Sequence, residues 1–238
     1  MPRPKPRIAP RPPRRRAAPA PRVRVVHEDA DVIVVDKPAG LLSIATESER
    51  ERTAYAQVFD LLKSRRPPAR PFVVHRLDRE ASGLLVLAKN PEAKRSLQAQ
   101  FHEHTAARTY AAVVSGLVAA DRSTLRSYLR ENAAHTTYET KPGQGKLAVT
   151  HVEVVRRNAA RGRTLVTLEL ETGRKHQVRA QLAAAGHPIA GDPRYGQRDG
   201  KDAPRLALHG TRLRFRHPRS GEIVELRSPL PDEIRRLV

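Results

Sequence analysis

Short runs of β-branched and other apolar residues recur along the chain and end at charged, glycine or proline residues. Runs of this length predict β-strands, because they suit a pleated surface that is buried on at least one face. They lie at residues 23–29, 31–40, 83–89, 109–114, 147–155, 164–171, 205–215 and 222–226.

Three other segments have helical character. Residues 54–63 suit a helix, and residues 175–185 suit another that ends at Gly186-His187-Pro188. The tripeptide Asn90-Pro91-Glu92 predicts a helix start, since Asn caps well and Pro fits the first turn. Many strands with few helices predict an α+β protein, built on a mixed, mainly antiparallel sheet flanked by helices and loops.

Residues 1–22 differ from the rest of the chain. They contain eight prolines, seven arginines and one lysine, with almost nothing to bury. Such a segment cannot offset its ordering entropy, which predicts a disordered basic arm in front of a globular domain at 23–238. The arm would serve either as a solubilising tail or as an RNA-contacting element.

Charge narrows the choice of partner. The 238 residues include 45 Lys and Arg against 25 Asp and Glu, a formal charge of +20. This excess favours nucleic acid first and an anionic membrane second. There is no cysteine, which excludes disulfides and thiolate chemistry. No apolar stretch approaches the roughly 18 residues of a membrane helix, so we expect a cytoplasmic protein with no membrane partner.

Two polar clusters could carry chemistry. In the first, Asp78 lies between Arg76 and Arg79, which would keep it ionised as a nucleophile or base. In the second, cations precede and enter the helix at 175–185, an arrangement that suits a phosphate or a carboxylate. The plainer interpretations are a surface turn with weak ion pairs and a solvated basic helix face.

Both clusters resemble motifs of the RluA family of pseudouridine synthases. HRLDREASGLLVLAK (75–89) resembles the family signature, and TGRKHQVRAQLAAAGHPIAGDPRYG (172–196) resembles its third motif. Three further segments match in the same order: residues 31–43, 107–116 and 205–222. The resemblance covers residues 24–230 and implies the pseudouridine synthase fold with a catalytic cleft.

The resemblance implies three catalytic residues. Asp78 would attack the uridine, at the base or the ribose, and the released uracil would be reattached through carbon. Tyr110 would pack on the target base and assist proton removal. Arg179 would pair with Asp78, since a buried carboxylate needs a cationic partner.

It also implies a set of residues that bind the substrate. Arg76 would take the place of the flipped base, or else contact a phosphate. Leu208 would lie beneath the uracil, or else belong to the core. The full expected set is His75, Arg76, Arg174, Lys175, Gln177 and Leu208. The family chemistry needs no cofactor, and we expect no metal, because His102 and His104 cannot share a helix face.

Two departures bear on the substrate. Arg108 stands where relatives often carry lysine, which preserves the charge. Only 22 residues precede the first strand, so we expect a compact, monomeric member without the S4 domain. Such members act on stem-loops of ribosomal or transfer RNA. The alternatives are a non-catalytic RNA-binding or ribosome-assembly factor, and a glycosidase, which would need two opposed carboxylates.

Overall fold

The computed structural model describes residues 21–47, 49–196 and 203–238. The arm predicted at residues 1–22 therefore lies almost entirely outside the described residues. Within them, no helix is long and apolar enough to cross a bilayer.

The described residues form one eleven-stranded sheet and four α-helices. The strands are β1 (Arg24–Glu28), β2 (Val32–Lys37), β3 (Phe72–Val73), β4 (Ser82–Ala88), β5 (Ala107–Ser115), β6 (Arg122–Glu131), β7 (Thr137–Thr140), β8 (Lys146–Asn158), β9 (Arg163–Leu170), β10 (Leu208–Arg216) and β11 (Ile223–Arg227). The helices are α1 (Ala54–Lys63), α2 (Pro91–His102), α3 (Gln177–Ala184) and α4 (Asp232–Arg235).

The sheet is mixed and mainly antiparallel, as predicted. Its order is β1-β2-β4-β10-β5-β9-β8-β6-β7, with β3 beside β4 and β11 beside β10. Only β4 and β10 run parallel among the described pairs. They approach closely at Gly83, where a Cβ would lie 2.3 Å from the backbone nitrogen of Gly210, so no larger residue fits.

The central strands are buried on both faces, which explains their continuous apolar runs. On β2, Val34 joins a core cluster with Leu97 of α2. Its neighbour Ile33 points to the opposite face and joins a larger cluster with Val58 of α1. The predicted cap of α2 is present, because the Asn90 Oδ1 accepts a hydrogen bond from the Ala93 N–H at 2.8 Å.

The structure contains elements that the sequence pattern did not predict, namely β3, β6, β7 and α4, and it moves the start of one helix. Strands β6 and β7 were not predicted, because β6 is mostly exposed and charged and is held by pairing with β8. The third helix begins at Gln177 rather than at 175, since His176 takes a left-handed conformation with φ of 50°. Few non-glycine residues adopt this conformation, and it breaks the helical path.

Candidate active site

A loop between β3 and β4 carries Asp78, and a buried lysine fixes it from below. The Nζ of Lys37 donates to four carbonyl oxygens. Two belong to its own turn, at Pro38 and Leu41, and two belong to the Asp78 loop, at Arg79 and Ala81. One side chain thus joins the turn after β2 to the loop, and the backbone around Asp78 is held from both sides.

Burial governs the charge of this lysine. It lowers the pKa of Lys37 to about 7, although the nearby carboxylates of Asp78 and Glu80 act in the opposite direction. The loop is fastened again at Leu77, whose N–H and carbonyl both bond the Ser43 hydroxyl, at 3.0 and 2.7 Å. Asp78 is therefore presented on a rigid backbone, as a catalytic side chain requires.

Asp78 lies beside Arg179, as the motifs predicted. The Arg179 Nη1 is 3.3 Å from the Asp78 Oδ2 and 3.2 Å from the Glu80 Oε2. The Asp78 side chain is 20% exposed and that of Arg179 is 1% exposed. A fixed cation therefore lies beside Asp78, while the Asp78 carboxylate stays open to the cleft.

The main partner of Arg179 is a residue that the sequence motifs did not single out. Asp192 accepts two hydrogen bonds from Arg179, from Nε at 2.8 Å and from Nη2 at 2.9 Å. Burial acts to raise the pKa of Asp192, but the Arg179 hydrogen bonds and charge hold it below its usual range. This bidentate pair fixes the guanidinium plane and aims the remaining nitrogen at Asp78.

Tyr195 and His176 form a hydrogen-bonded pair on the other side of Asp78. The Tyr195 hydroxyl accepts from the Thr137 N–H at 2.9 Å and lies 3.0 Å from the His176 Nδ1. The hydroxyl can donate its proton to Nδ1 or accept one from it, and the other ring nitrogen of His176 is the one nearer to Asp78. That nitrogen, Nε2, lies 3.9 Å from the Asp78 Oδ1.

Burial is the largest influence on His176 and lowers its pKa, although the charge of Asp78 acts to raise it. A lowered pKa keeps the imidazole neutral at pH 7. His176 therefore faces Asp78 as a neutral imidazole, not as a competing cation.

Asp78 lies where two cavities meet. One, of about 280 Å³, is also lined by Tyr110 and Leu208 and is called the uridine pocket below. The other, of about 420 Å³, opens beside Ser43 and Arg194. Burial raises the pKa of Tyr110, so its ring stays a neutral phenol that can lie flat against a base. Leu208 belongs to the core and also lines this pocket, so its position beneath a uracil stays a prediction.

The other predicted binding residues occupy different environments. Arg76 is exposed and borders both cavities, and Lys175 borders both while pairing with Glu131. Arg174 lines the uridine pocket and donates to the Leu147 carbonyl. These three cations line the cavities beside Asp78, and their contact with RNA stays a prediction.

Two predicted binding residues have internal partners. Gln177 is buried, and its amide bonds Thr172, Val149 and Thr150 across the start of α3. His75 accepts a hydrogen bond from the Val86 N–H through Nε2. Both side chains hold the walls of the cleft, and direct contact of either with RNA stays a prediction.

Sequence reasoning gave no role to Lys37, Asp192 and Tyr195, and it placed Glu80 only in the polar cluster around Asp78. All four stand inside segments that resemble family motifs, so the motifs were the available signal. Their roles depend on contacts between distant parts of the chain, such as Lys37 with Ala81, and no local pattern encodes those contacts.

Outside the cleft, one cluster of two carboxylates and a histidine has a spacing that could hold a cation. It comprises Asp29, Asp31 and His217. Both oxygens of Asp31 already accept hydrogen bonds from Arg219, at 2.7 and 2.8 Å, and Asp29 pairs with His27 at 2.8 Å. These contacts tie the turn after β10 to the loop before β2.

Comparison with known proteins identifies the class of enzyme. A family model described as RNA pseudouridylate synthase matches residues 31–184. The chain is 39% identical over 218 residues to YlyB of Bacillus subtilis (strain 168), named as an uncharacterized RNA pseudouridine synthase, covering 90% of this chain and 71% of that protein. It is also 39% identical to ribosomal large subunit pseudouridine synthase D of Neisseria meningitidis, covering 90% of this chain but only 60% of that protein.

A solved structure agrees. Human RNA Pseudouridylate Synthase Domain Containing 1 superposes with a TM-score of 0.70 at 30% identity, covering 87% of this chain and 83% of that one. These matches define an isomerase that converts uridine to pseudouridine in RNA. The chain belongs to the RNA pseudouridylate synthase family, which confirms the resemblance carried by its motifs.

Proposed function

We propose that this protein converts specific uridines of large-subunit ribosomal RNA to pseudouridine, with Asp78 as the catalytic carboxylate. The observation that carries the proposal is the position of Asp78, at the floor of two cavities and beside a buried arginine. The ribosomal substrate is supported by the names of relatives that match 90% of the chain, among them the Neisseria meningitidis enzyme.

The reaction exchanges one bond for another. The bond from uracil N1 to the ribose C1′ breaks, the base turns, and a bond from C5 to C1′ forms while the C5 proton moves to nitrogen. Asp78 supplies the nucleophile: its bond to the uridine forms before the base turns and breaks once C5 is joined to C1′, which restores the free carboxylate beside Arg179. No atom is lost, so the reaction needs no oxidant or second substrate.

The target uridine must leave its stack to reach Asp78. Flipping costs a few kcal/mol, and contacts in the pocket can offset this. Tyr110 and Leu208 offer an apolar surface for the base, and exposed Arg76 at the rim is placed to fill the gap left in the RNA. We place the target in a loop or weakly paired region, where flipping costs least.

The cleft draws Asp78, Tyr110 and Arg179 from one chain, which supports a monomeric enzyme. We place it in the cytoplasm with its RNA substrate. The test is to incubate the protein with unmodified transcripts of large-subunit ribosomal RNA and of transfer RNA, and then to map pseudouridine. We expect a small set of ribosomal uridines to be modified. Modification of transfer RNA alone would overturn the substrate, and binding without modification would favour an RNA-binding factor.

A further inference from the structure

Arg108 of β5 is a cation held firmly in place by apolar contacts. Its guanidinium carbon lies 5.2 Å from the centre of the Phe101 ring. On another side it packs against Gly173, where a Cβ would stand 2.8 Å from Nη2 and 2.9 Å from Nη1. The guanidinium thus lies between an aromatic ring and the backbone of Gly173, and a methyl group at position 173 would displace it.

The charge of Arg108 has no protein partner. Among the described residues Arg108 makes no hydrogen bond and no ion pair, and its Nε is buried without an acceptor. Since buried polar groups in proteins are nearly always paired, an unpaired donor on an ordered arginine indicates an acceptor supplied by a ligand.

A second unpaired donor lies in the same wall. The Nε2 of His75 accepts from the Val86 N–H, so the hydrogen of the neutral ring is on Nδ1, which is buried without a partner. Burial, together with the charge of Arg108, lowers the pKa of His75 to about 3, so the ring stays neutral. The His75 ring lies 4.7 Å from that of Phe101, which places both donors around one aromatic side chain.

Both residues line a cavity of about 330 Å³, called the flanking pocket below. No acidic residue of the described chain lines it. Its polar lining is basic: His75, Arg76, His102, His104, Arg108 and Arg174. Positive charge without compensation, on a concave surface, favours an anion.

The flanking pocket adjoins the uridine pocket. The two share Arg76, Arg108, Gly173 and Arg174 as lining residues. Arg108 and Tyr110 are two residues apart on β5, so their side chains share one face of the strand, about 7 Å apart. An RNA strand whose uridine rests against Tyr110 therefore passes Arg108 with its adjoining backbone.

We propose that the flanking pocket binds a backbone phosphate within one or two nucleotides of the target uridine, with Arg108 as its main ligand. The planar guanidinium can donate two parallel hydrogen bonds to phosphate oxygens, and a guanidinium that is already confined loses little entropy in doing so. The inference rests on the proposed function, because it places the phosphate relative to a uridine that faces Asp78.

The first test compares RNA binding by the wild-type chain, Arg108→Met and Arg156→Met. Methionine keeps an unbranched side chain between Phe101 and Gly173 but removes the charge. Arg156 is the matched control. It is an exposed arginine near the end of β8 and lines neither the uridine pocket nor the flanking pocket. The probe is a stem-loop RNA with a uridine-rich loop, and its affinity is measured over a range of salt concentrations.

We expect Arg108→Met to weaken binding about tenfold, the effect of one hydrogen-bonded ion pair. It should also flatten the slope of log K against log salt by about 0.7, the value for one phosphate contact on a single strand. Gly173→Ala should weaken binding too, because its methyl group would displace the guanidinium. Arg156→Met should change neither quantity. If Arg108→Met behaves like Arg156→Met, the inference is overturned.

A second measurement locates the phosphate. In a stem-loop that carries a mapped target uridine, each loop phosphate is replaced in turn by an uncharged methylphosphonate. In the wild type, methylphosphonate replacement at one linkage close to that uridine should lower the affinity about tenfold. The same replacement should have no effect on Arg108→Met, which has already lost the contact. An equal loss in both proteins would contradict a phosphate bound by Arg108.

The two proposals can fail separately. If the wild type forms no pseudouridine but Arg108→Met still loses affinity and salt slope, the proposed function fails and the flanking pocket stands as an RNA contact. If pseudouridine forms and Arg108→Met leaves the slope of log K against log salt unchanged, only the proposal about the flanking pocket is refuted.

Discussion

Two arginines border the same cleft in opposite electrostatic surroundings. Arg179 is buried and meets the carboxylates of Asp192, Asp78 and Glu80. Arg108 meets no carboxylate among the described residues and rests on Phe101 and Gly173. The first cation is compensated by the protein, whereas the second is ordered by the protein and left uncompensated.

From this difference we expect the two arginines to have different roles: Arg179 positions other side chains, whereas Arg108 binds RNA. A buried arginine that is saturated by carboxylates cannot attract a further anion, so we expect Arg179 to position the loop that carries Asp78. An ordered arginine without a counter-ion attracts the polyanionic substrate. Changes at Arg179 should therefore alter stability and turnover together, whereas changes at Arg108 should alter RNA affinity alone.

The largest effect is expected at Arg179. Arg179→Met would leave Asp192 buried without its cation and three carboxylates close together. Removing one partner of a buried ion pair costs roughly 3–5 kcal/mol, so we expect that loss in the free energy of unfolding together with loss of turnover. Urea denaturation and single-turnover kinetics are the measurements.

Arg108→Met is the matched control in the same assays. Its free energy of unfolding should stay within about 0.5 kcal/mol of the wild type, because no protein hydrogen bond is lost. If the two substitutions lowered the free energy of unfolding by similar amounts, the proposed difference in role between Arg179 and Arg108 would be contradicted.

A smaller effect is expected at Asp192. Asp192→Asn keeps the shape but removes the charge that holds Arg179 in two hydrogen bonds, which should cost about 1.5–3 kcal/mol at pH 7. The pKa of Asp192 is lowered by Arg179, so its stabilisation is present above the unfolded value of about 3.9 and is lost as the pH falls through the folded value. Melting curves of both proteins should therefore converge in acid. A difference that persists undiminished below this range would show that charge is not the cause.

The smallest effect is expected at Tyr195. Tyr195→Phe removes the hydroxyl that orients His176 towards Asp78 but leaves the ring under the Arg179 guanidinium. A neutral hydrogen bond contributes about 1 kcal/mol, so kcat should fall about fivefold with KM for RNA unchanged. A change in KM without a change in kcat would place Tyr195 in RNA binding and not in the positioning of His176.

The sequence predicted those parts of the fold whose local pattern agrees with their packing. The run at β2 is apolar on both sides, and it is buried on both faces between α1 and α2. The bounds of α1 agree with the prediction, since Thr53 caps its first turn through a hydrogen bond from Ala56.

The rest depended on distant contacts. Strand β6 is rich in exposed polar residues, and only its pairing with β8 makes it a strand. Lys37 stands at the charged end of an apolar run and was given no role, although its four carbonyl partners fix the Asp78 loop. Motif resemblance found Asp78, Tyr110 and Arg179, but the isolation of Arg108 became visible only once Phe101, Gly173 and the lack of a nearby carboxylate could be seen together.

The most direct test of the account is Asp78→Asn, assayed with ribosomal RNA by pseudouridine mapping and in parallel by RNA binding. Asparagine keeps the size of the side chain and removes the nucleophile, while Asp192 still holds Arg179. We predict no detectable pseudouridine at any site, with an RNA affinity equal to that of the wild type. Turnover by Asp78→Asn within about tenfold of the wild type, a barrier change of only about 1.4 kcal/mol, would contradict the account.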